Sequence, residues 1–336
     1  MRLPSPSATL SSGVSLPGTG RYRRNGGAAV KRSLSGQVVL VTGAARGIGE
    51  HTAREAAARG ARLALVGLEP ERLSAVAGEL GAVWFPADVT DQAGLTAAVD
   101  QVKEAYGRID AVVANAGVAS RGTVATGDVE ALVRTVEVNL VGVMRTAAAC
   151  LPHLIETRGY LLIVASAAAY AALPGMAPYC ASKAGVEHFG NAVRLEVAHH
   201  GVAVGTAHPS WIDTDLVRDA QDDLPSFRET LRRLPPPMGS TTSVQRCAAA
   251  FVDALERRRR KVFVPRSVAL MYWMRTFLNS RLTEKFLESQ ARRSVPLMEE
   301  QVRALGRGFG ASTAEPPAPR RKDRPEPGFI ADRYHR

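Results

Sequence analysis

Tyr179 and Lys183 stand four positions apart in the run Tyr179-Cys180-Ala181-Ser182-Lys183, and Ser166 lies thirteen positions before the tyrosine. A phenol is a poor base near neutrality because its free pKa is about 10. An ammonium one helical turn away, with the positive ring of an oxidised nicotinamide beside it, would stabilise phenolate. Such a phenol can take a proton from a carbinol oxygen or return one to a carbonyl. A nearby serine hydroxyl can hold that oxygen and stabilise the charge developing on it. The pattern is weak alone, since a tyrosine and a lysine at this spacing usually form a solvated helix face. Its weight comes from what precedes it.

The run Val38-Val39-Leu40-Val41 feeds into Thr42-Gly43-Ala44-Ala45-Arg46-Gly47-Ile48-Gly49. Glycines after a first strand let the backbone turn tightly and approach a pyrophosphate without a Cβ clash. A helix opening near Ile48 would aim its free N–H groups and positive dipole end at that anion. The spacing is G-x-x-x-G-x-G rather than the commoner G-x-G-x-x-G, and its place between strand and helix is what supports a dinucleotide. The second strand ends Val66-Gly67-Leu68-Glu69, with Gly67 where an acid would meet a ribose 2′-OH. Arg46 can pair with a 2′-phosphate, so NADP(H) is favoured. NAD(H) is the alternative if Glu69, two positions late, bends back. Asp88-Val89 after a third strand would sit near the adenine. Asn115-Ala116-Gly117 falls at the ligand-binding edge of an open α/β sheet.

These residues need a frame, and the chain supplies one. Apolar runs at 38–41, 62–66, 83–85, 111–114, 161–165, 202–207 and 261–264 read as strands, with helical patterns between them. The alternation predicts an α/β fold, a Rossmann-like, doubly wound, seven-stranded parallel sheet flanked by helices, over residues 35–266. Pro178 is placed to open the helix that carries Tyr179 and Lys183. Between 214 and 240 scattered apolar residues suggest a mobile flap, and Trp211, Leu216, Phe227, Leu231 and Met238 suggest an apolar substrate pocket. Residues 267–307 form a C-terminal helical extension. Packing on its own domain is the default for its apolar stripe, with an oligomer contact, a lid or a membrane-surface helix as the other readings.

The net charge of +11 sits in the ends. Residues 1–35 hold six basic and no acidic side chains, and residues 303–336 hold eight and four, which leaves 29 against 28 between them. A near-neutral body disfavours nucleic acid as a partner. Residues 1–34 and 308–336 read as basic, Pro-, Ser- or Arg-rich tails expected to be disordered. The first has no continuous apolar stretch for a secretory signal, and a flexible extension is favoured over a transit peptide. No run of 18 apolar residues occurs, so no transmembrane segment is expected, while peripheral membrane contact stays open. The three cysteines, Cys150, Cys180 and Cys247, disfavour a disulfide framework and point to a reducing, cytoplasmic setting. No metal-ligand spacing is present, and the His199-His200 doublet is expected to place its rings on different helix faces.

Over about residues 36–265 the order of motifs resembles the short-chain dehydrogenase/reductase family, in its branch of compact single-domain subunits. The resemblance implies a cofactor loop of Thr42, Gly43, Gly47, Ile48 and Gly49, with Arg46 before the second glycine as a mark of NADP(H). It implies that Asp88 lies near the adenine and that Asn115-Ala116-Gly117 is the family's Asn-Ala-Gly motif. Ser166, Tyr179 and Lys183 match the catalytic residues. Lys183 would also grip the nicotinamide ribose, and Asn139 would hold a water that completes a proton relay through Lys183. His208-Pro209-Ser210 matches a Pro-Gly turn with Ser210 in place of glycine, followed by Ile212 and Thr214 as cofactor contacts. Homodimers or homotetramers are expected. The reading is an NADP(H)-dependent oxidoreductase interconverting an alcohol and a ketone or aldehyde, on an apolar small molecule. The rival is a dinucleotide-binding sensor or scaffold of the same fold without chemistry.

Overall fold

Seven short aliphatic runs become strands because their side chains can be buried on both faces of a sheet. In the computed structural model, which describes residues 31–234 and 239–313, they are β1 (Val38–Thr42), β2 (Arg62–Gly67), β3 (Val83–Pro86), β4 (Ala111–Ala114), β5 (Tyr160–Val164), β6 (Ala203–Pro209) and β9 (Lys261–Val264). All neighbours pair in parallel in the order β3-β2-β1-β4-β5-β6-β9. The order reverses between β1 and β4, which opens a crevice at their carboxyl ends. Two short strands, β7 (Ile212–Asp213) and β8 (Thr242–Ser243), form a separate parallel ribbon.

Helices α1 (Gly47–Ala58), α2 (Pro70–Leu80) and α9 (Val244–Arg257) bury their apolar stripes on one face of the sheet. Helices α3 (Gln92–Tyr106), α4 (Val129–Val136), α5 (Gly142–Thr157) and α6 (Ala177–Glu196) flank the other; α3, α5 and α6 bury core residues there. A π-helical segment, Glu137–Val141, joins α4 to α5. This continuous stretch, Val129–Thr157, is long and apolar enough to cross a membrane by length and composition, but half of its apolar window is buried and Val143, Ala147, Cys150 and Leu154 lie in the core.

The flap folds as α7 (Asp215–Asp223) and α8 (Pro225–Arg233), split because Pro225 opens a new helix. The extension is α10 (Val268–Trp273), α11 (Arg275–Leu278) and α12 (Arg281–Leu305). Met298 and Val302 of α12 pack on Leu224 and Phe227, so the far half of the extension covers the flap. The expected tail boundary at 308 falls inside an ordered segment: Arg121 N donates to Gly308 O (2.8 Å), and Ser120 bridges Phe309. Of the expected tails over 1–34 and 308–336, residues 1–30 and 314–336 lie outside the described residues, as does Met238; the expected N-terminal boundary at 34 falls too late, since Leu34 is buried in the core and Arg32 N donates to Glu256 O (2.8 Å). The His199 and His200 rings lie 3.7 Å apart instead of on different faces, because the doublet sits in the 3-10 turn Ala198–His200.

Candidate active site

Three glycines shape the first loop. Gly43 has φ +64°, and a Cβ there would come within 2.8 Å of the Ala116 Cα. A Cβ on Gly49 would come 2.2 Å from the Gly43 carbonyl oxygen. Gly47, at φ +58°, turns the chain into α1, whose N-terminus carries no side-chain cap. Thr42 and Asn115 stitch the ends of β1 and β4 together: Thr42 Oγ1 accepts from Asn115 N (3.0 Å), and Asn115 Nδ2 donates to the Thr42 carbonyl (3.0 Å). The open helix end and the bare backbone face one cleft of about 280 Å³. A dinucleotide pyrophosphate fits such a cradle, since uncapped N–H groups attract an anion and absent Cβ atoms let it approach.

Gly43, Arg46, Gly47, Ile48, Asp88, Val89, Asn115, Ala116, Gly117, Pro209 and Thr214 line this cleft, together with Tyr179 and Lys183. Thr42 and Gly49 stand behind its wall. Ile212 does not face it: the side chain is buried in the core and Thr214 turns inward instead. Asp88 accepts from Thr90 N and from Arg134, both at 2.8 Å. Burial pushes its carboxyl up, but these donors outweigh that and hold it below the usual range.

Arg46 is not waiting free. It donates to Glu69 at 2.6 and 3.1 Å and to the Ser312 carbonyl at 2.7 Å. Glu69 does bend into the cleft, where it also meets Arg72 at 3.4 Å.

At the other end, Ser166 caps a 3-10 turn after β5, accepting from Ala168 N (3.1 Å). Its hydroxyl donates to the Pro209 carbonyl (3.4 Å) and stands just behind the cleft wall, close enough to the Tyr179 phenol to favour phenolate. Lys183 is 3% exposed, and its ammonium donates to the Val164 carbonyl (2.9 Å) while lying 5.6 Å from the Tyr179 ring centre. The expected lowering of the phenol by this lysine is therefore corrected for the protein alone. Burial pushes the Tyr179 phenol up, and the Ser166 hydroxyl pulls only partly against it. Burial also pushes Lys183 down to about 8.

Asn139 sits in the π-helical segment, fully buried. Its Oδ1 accepts from Val118 N (2.8 Å), and its Nδ2 donates to Val118 O (2.9 Å). It thus fixes the turn that follows Asn115-Ala116-Gly117. A Cβ on Gly117 would lie 3.1 Å from Asn139 Oδ1 and 3.6 Å from Lys183 Nζ, so this glycine leaves the space between them open.

The comparisons with known proteins converge on one family. A model described as short chain dehydrogenase matches residues 37–225. The chain belongs to the short-chain dehydrogenase/reductase family. The 11-beta-hydroxysteroid dehydrogenase-like 4A of Arabidopsis thaliana is 30% identical over 265 residues, 75% of this chain and 84% of that protein. The D-threitol dehydrogenase of Mycolicibacterium smegmatis is 37% identical over 195 residues, 56% and 75%. The 3-oxoacyl-[acyl-carrier-protein] reductase FabG of Escherichia coli is 31% identical over 194 residues, 57% and 80%. Like the rest of its family this chain is an oxidoreductase of CH–OH donors that uses NAD(P).

Of the five expected substrate-pocket residues, Met238 lies outside the described residues, and three of the other four lie elsewhere, Leu231 being buried off the cleft wall. Leu216 lines the cleft, but Trp211 and Phe227 meet edge to face with ring centres 5.4 Å apart, and Phe227 packs toward Met298 and Val302. The extension supplies apolar partners that a minimal subunit of the family lacks. Among the cleft residues that escaped the motif reading are Arg134 and Asp215, and Phe309, Ser312 and Thr313 from beyond the extension. Arg134 could have been found from its spacing on an amphipathic helix; the last three carry no local signal.

Proposed function

We propose that this chain is an NADP(H)-dependent oxidoreductase that interconverts an alcohol and a ketone or aldehyde on an apolar substrate. The observation that carries the reading is that Tyr179 and Lys183 stand together on the wall of the cleft that holds the glycine loop, with the Ser166 hydroxyl close enough to the phenol to favour phenolate. The bound nicotinamide supplies the hydride. Tyr179 moves the proton at the substrate oxygen, and Ser166 holds that oxygen. The protonated phenol gives its proton in carbonyl reduction, and the phenolate takes one in alcohol oxidation. Lys183 orients the cofactor and, across the gap kept by Gly117, passes protons to a water that Asn139 would hold there.

NADP(H) is preferred because Arg46 and Arg72 flank one carboxylate, Glu69, that a 2′-phosphate with more charge can displace. The Arg46–Glu69 pair also supports NAD(H) as the second reading, with Glu69 accepting from a ribose 2′-OH. Three free cysteines suit the cytoplasm. Exposed Met144 and Leu195 on α5 and α6 suit pairing into a homodimer or homotetramer. The test is purified protein with NADPH or NADH over a panel of apolar ketones and aldehydes. Oxidation of NADPH that requires a carbonyl supports the reading. Tight NADPH binding with no turnover over the whole panel would favour the sensor or scaffold.

A further inference from the structure

Helices α10 and α11 and the start of α12 turn large apolar side chains to the outside. Trp273 is 78% exposed, Leu282 72% and Phe286 63%, and Leu270 and Phe277 are exposed too. Leu270, Trp273 and Phe277 recur at spacings of three and four, as a helical stripe does. Leu282 and Phe286 stand one turn apart. The two groups are held together, because Thr283 Oγ1 and Ser280 N both donate to the Phe277 carbonyl (2.9 Å each).

The patch stands on a braced platform. Val268 is buried beside Tyr170 and Ala167, which follow Ser166, and Tyr272 meets Tyr170 edge on at 5.5 Å. Met298 and Val302 fix the other end of α12. Charge adds a second, independent feature. Residues 266–293 carry six basic side chains, Arg266, Arg275, Arg281, Lys285, Arg292 and Arg293, against Glu284 and Glu288. All six are exposed, whereas the body of the chain is near neutral.

An exposed apolar patch of this kind marks an interaction surface. A second copy related by a two-fold axis would set this cationic rim against itself. The two ends of the chain are themselves basic and do not complement it. A negatively charged lipid surface complements both features: apolar side chains enter the acyl boundary, the indole sits at headgroup depth, and the cations meet lipid phosphates. We propose that the exposed face of α10, α11 and the start of α12 docks this protein on an anionic membrane surface. The proposal goes beyond the oxidoreductase reading and does not depend on it.

Co-sedimentation of the full chain with vesicles tests it without turnover. Vesicles of phosphatidylcholine alone are compared with phosphatidylcholine mixed with phosphatidylglycerol. Wild type is expected to pellet with the mixed vesicles, at least about tenfold more tightly than with the neutral ones, and to release as salt rises. Two variants are compared at matched melting temperature: Trp273→Ser/Phe277→Ser/Leu282→Ser/Phe286→Ser, and Arg275→Glu/Arg281→Glu/Lys285→Glu. Each is expected to lose binding by about tenfold or more. Wild type left in the supernatant overturns the proposal. So does binding that survives the apolar variant, which would belong to the basic ends. An oligomer that the apolar variant splits, seen by light scattering without vesicle binding, would assign the face to a second copy and overturn it as well.

Discussion

The Arg46 guanidinium grips the Glu69 carboxylate through two hydrogen bonds, 2.6 and 3.1 Å long, where β2 ends at the cleft. A 2′-phosphate must take Arg46 from this partner, and a 2′-hydroxyl need not. Arg46→Ala is expected to weaken NADPH by about tenfold or more while changing NADH by less than about threefold, since charge-assisted pairs are the stronger ones. Glu69→Gln is expected to tighten NADPH. Fluorescence titration with both dinucleotides checks this; NADPH binding indifferent to both changes would contradict the preference.

Lys183 yields a stability prediction opposite in sign to its role. Burial pushes its ammonium down to about 8, below its ordinary value of 10.5. Between those pH values the unfolded chain binds more protons, so stability rises with pH there, and below pH 8 the full cost of the buried charge is present. That cost is roughly 3 kcal/mol, against about 1–2 kcal/mol for leaving the Val164 carbonyl unpaired. Lys183→Met is therefore expected to be about 1–2 kcal/mol more stable at pH 7, to lose that gain by pH 10.5, and to lose turnover. Urea unfolding at the two pH values is the check, and a variant less stable at pH 7 would show that the ammonium is well solvated.

Much of this was legible in the chain because the signals are local. Seven aliphatic runs alternating with helical patterns gave the sheet, and strand ends moved by no more than two residues, as at Ala203–Pro209. The loop from Thr42 to Gly49 and the Tyr179–Lys183 pair lie where their spacing put them. What was not legible is long-range. The pairing of Arg46 with Ser312 joins residues 266 positions apart, and no periodicity announces it. Trp211 and Phe227 read as pocket lining because the apolar partners in α12 could not be placed from sequence. The pKa directions of Tyr179 and Lys183 follow from how deeply the fold buries both groups, which spacing alone does not show.

Behind Ser166, Glu187 meets His208 at 2.9 Å and also pairs with Lys261, while His208 Nδ1 lies 2.9 Å from the Tyr170 hydroxyl. Burial pushes the Glu187 carboxyl up, but His208 and Lys261 outweigh it and hold it at about 2. The folded value is below the unfolded one. The stability it contributes is therefore present above pH 4.5 and is lost as pH falls from there toward 2. Glu187→Gln is expected to cost about 3 kcal/mol at pH 7 and progressively less below pH 4.5. Thermal melts across that range test it; a cost that does not shrink in acid would place the loss in packing.

Beyond α12, Arg307 pairs with Asp223, which also holds Arg121 at 3.2 Å, and Asp219 accepts from Ser312 N at 2.8 Å. The segment so anchored brings Phe309, Ser312 and Thr313 to the cleft wall. Removing residues 307–336 is expected to speed dinucleotide association and release by about tenfold each, with the equilibrium constant nearly unchanged. Stopped-flow fluorescence reads both rates. Unaltered rates would mean the segment does not cover the bound cofactor.

The most direct test of the account is single-turnover reduction of a carbonyl substrate by the Tyr179→Phe variant, with NADPH affinity measured on the same sample. The account predicts a loss of at least about a hundredfold in the rate of NADPH oxidation, with affinity within about threefold of wild type. A variant that turns over at the wild-type rate would contradict the assignment of Tyr179 as the proton donor.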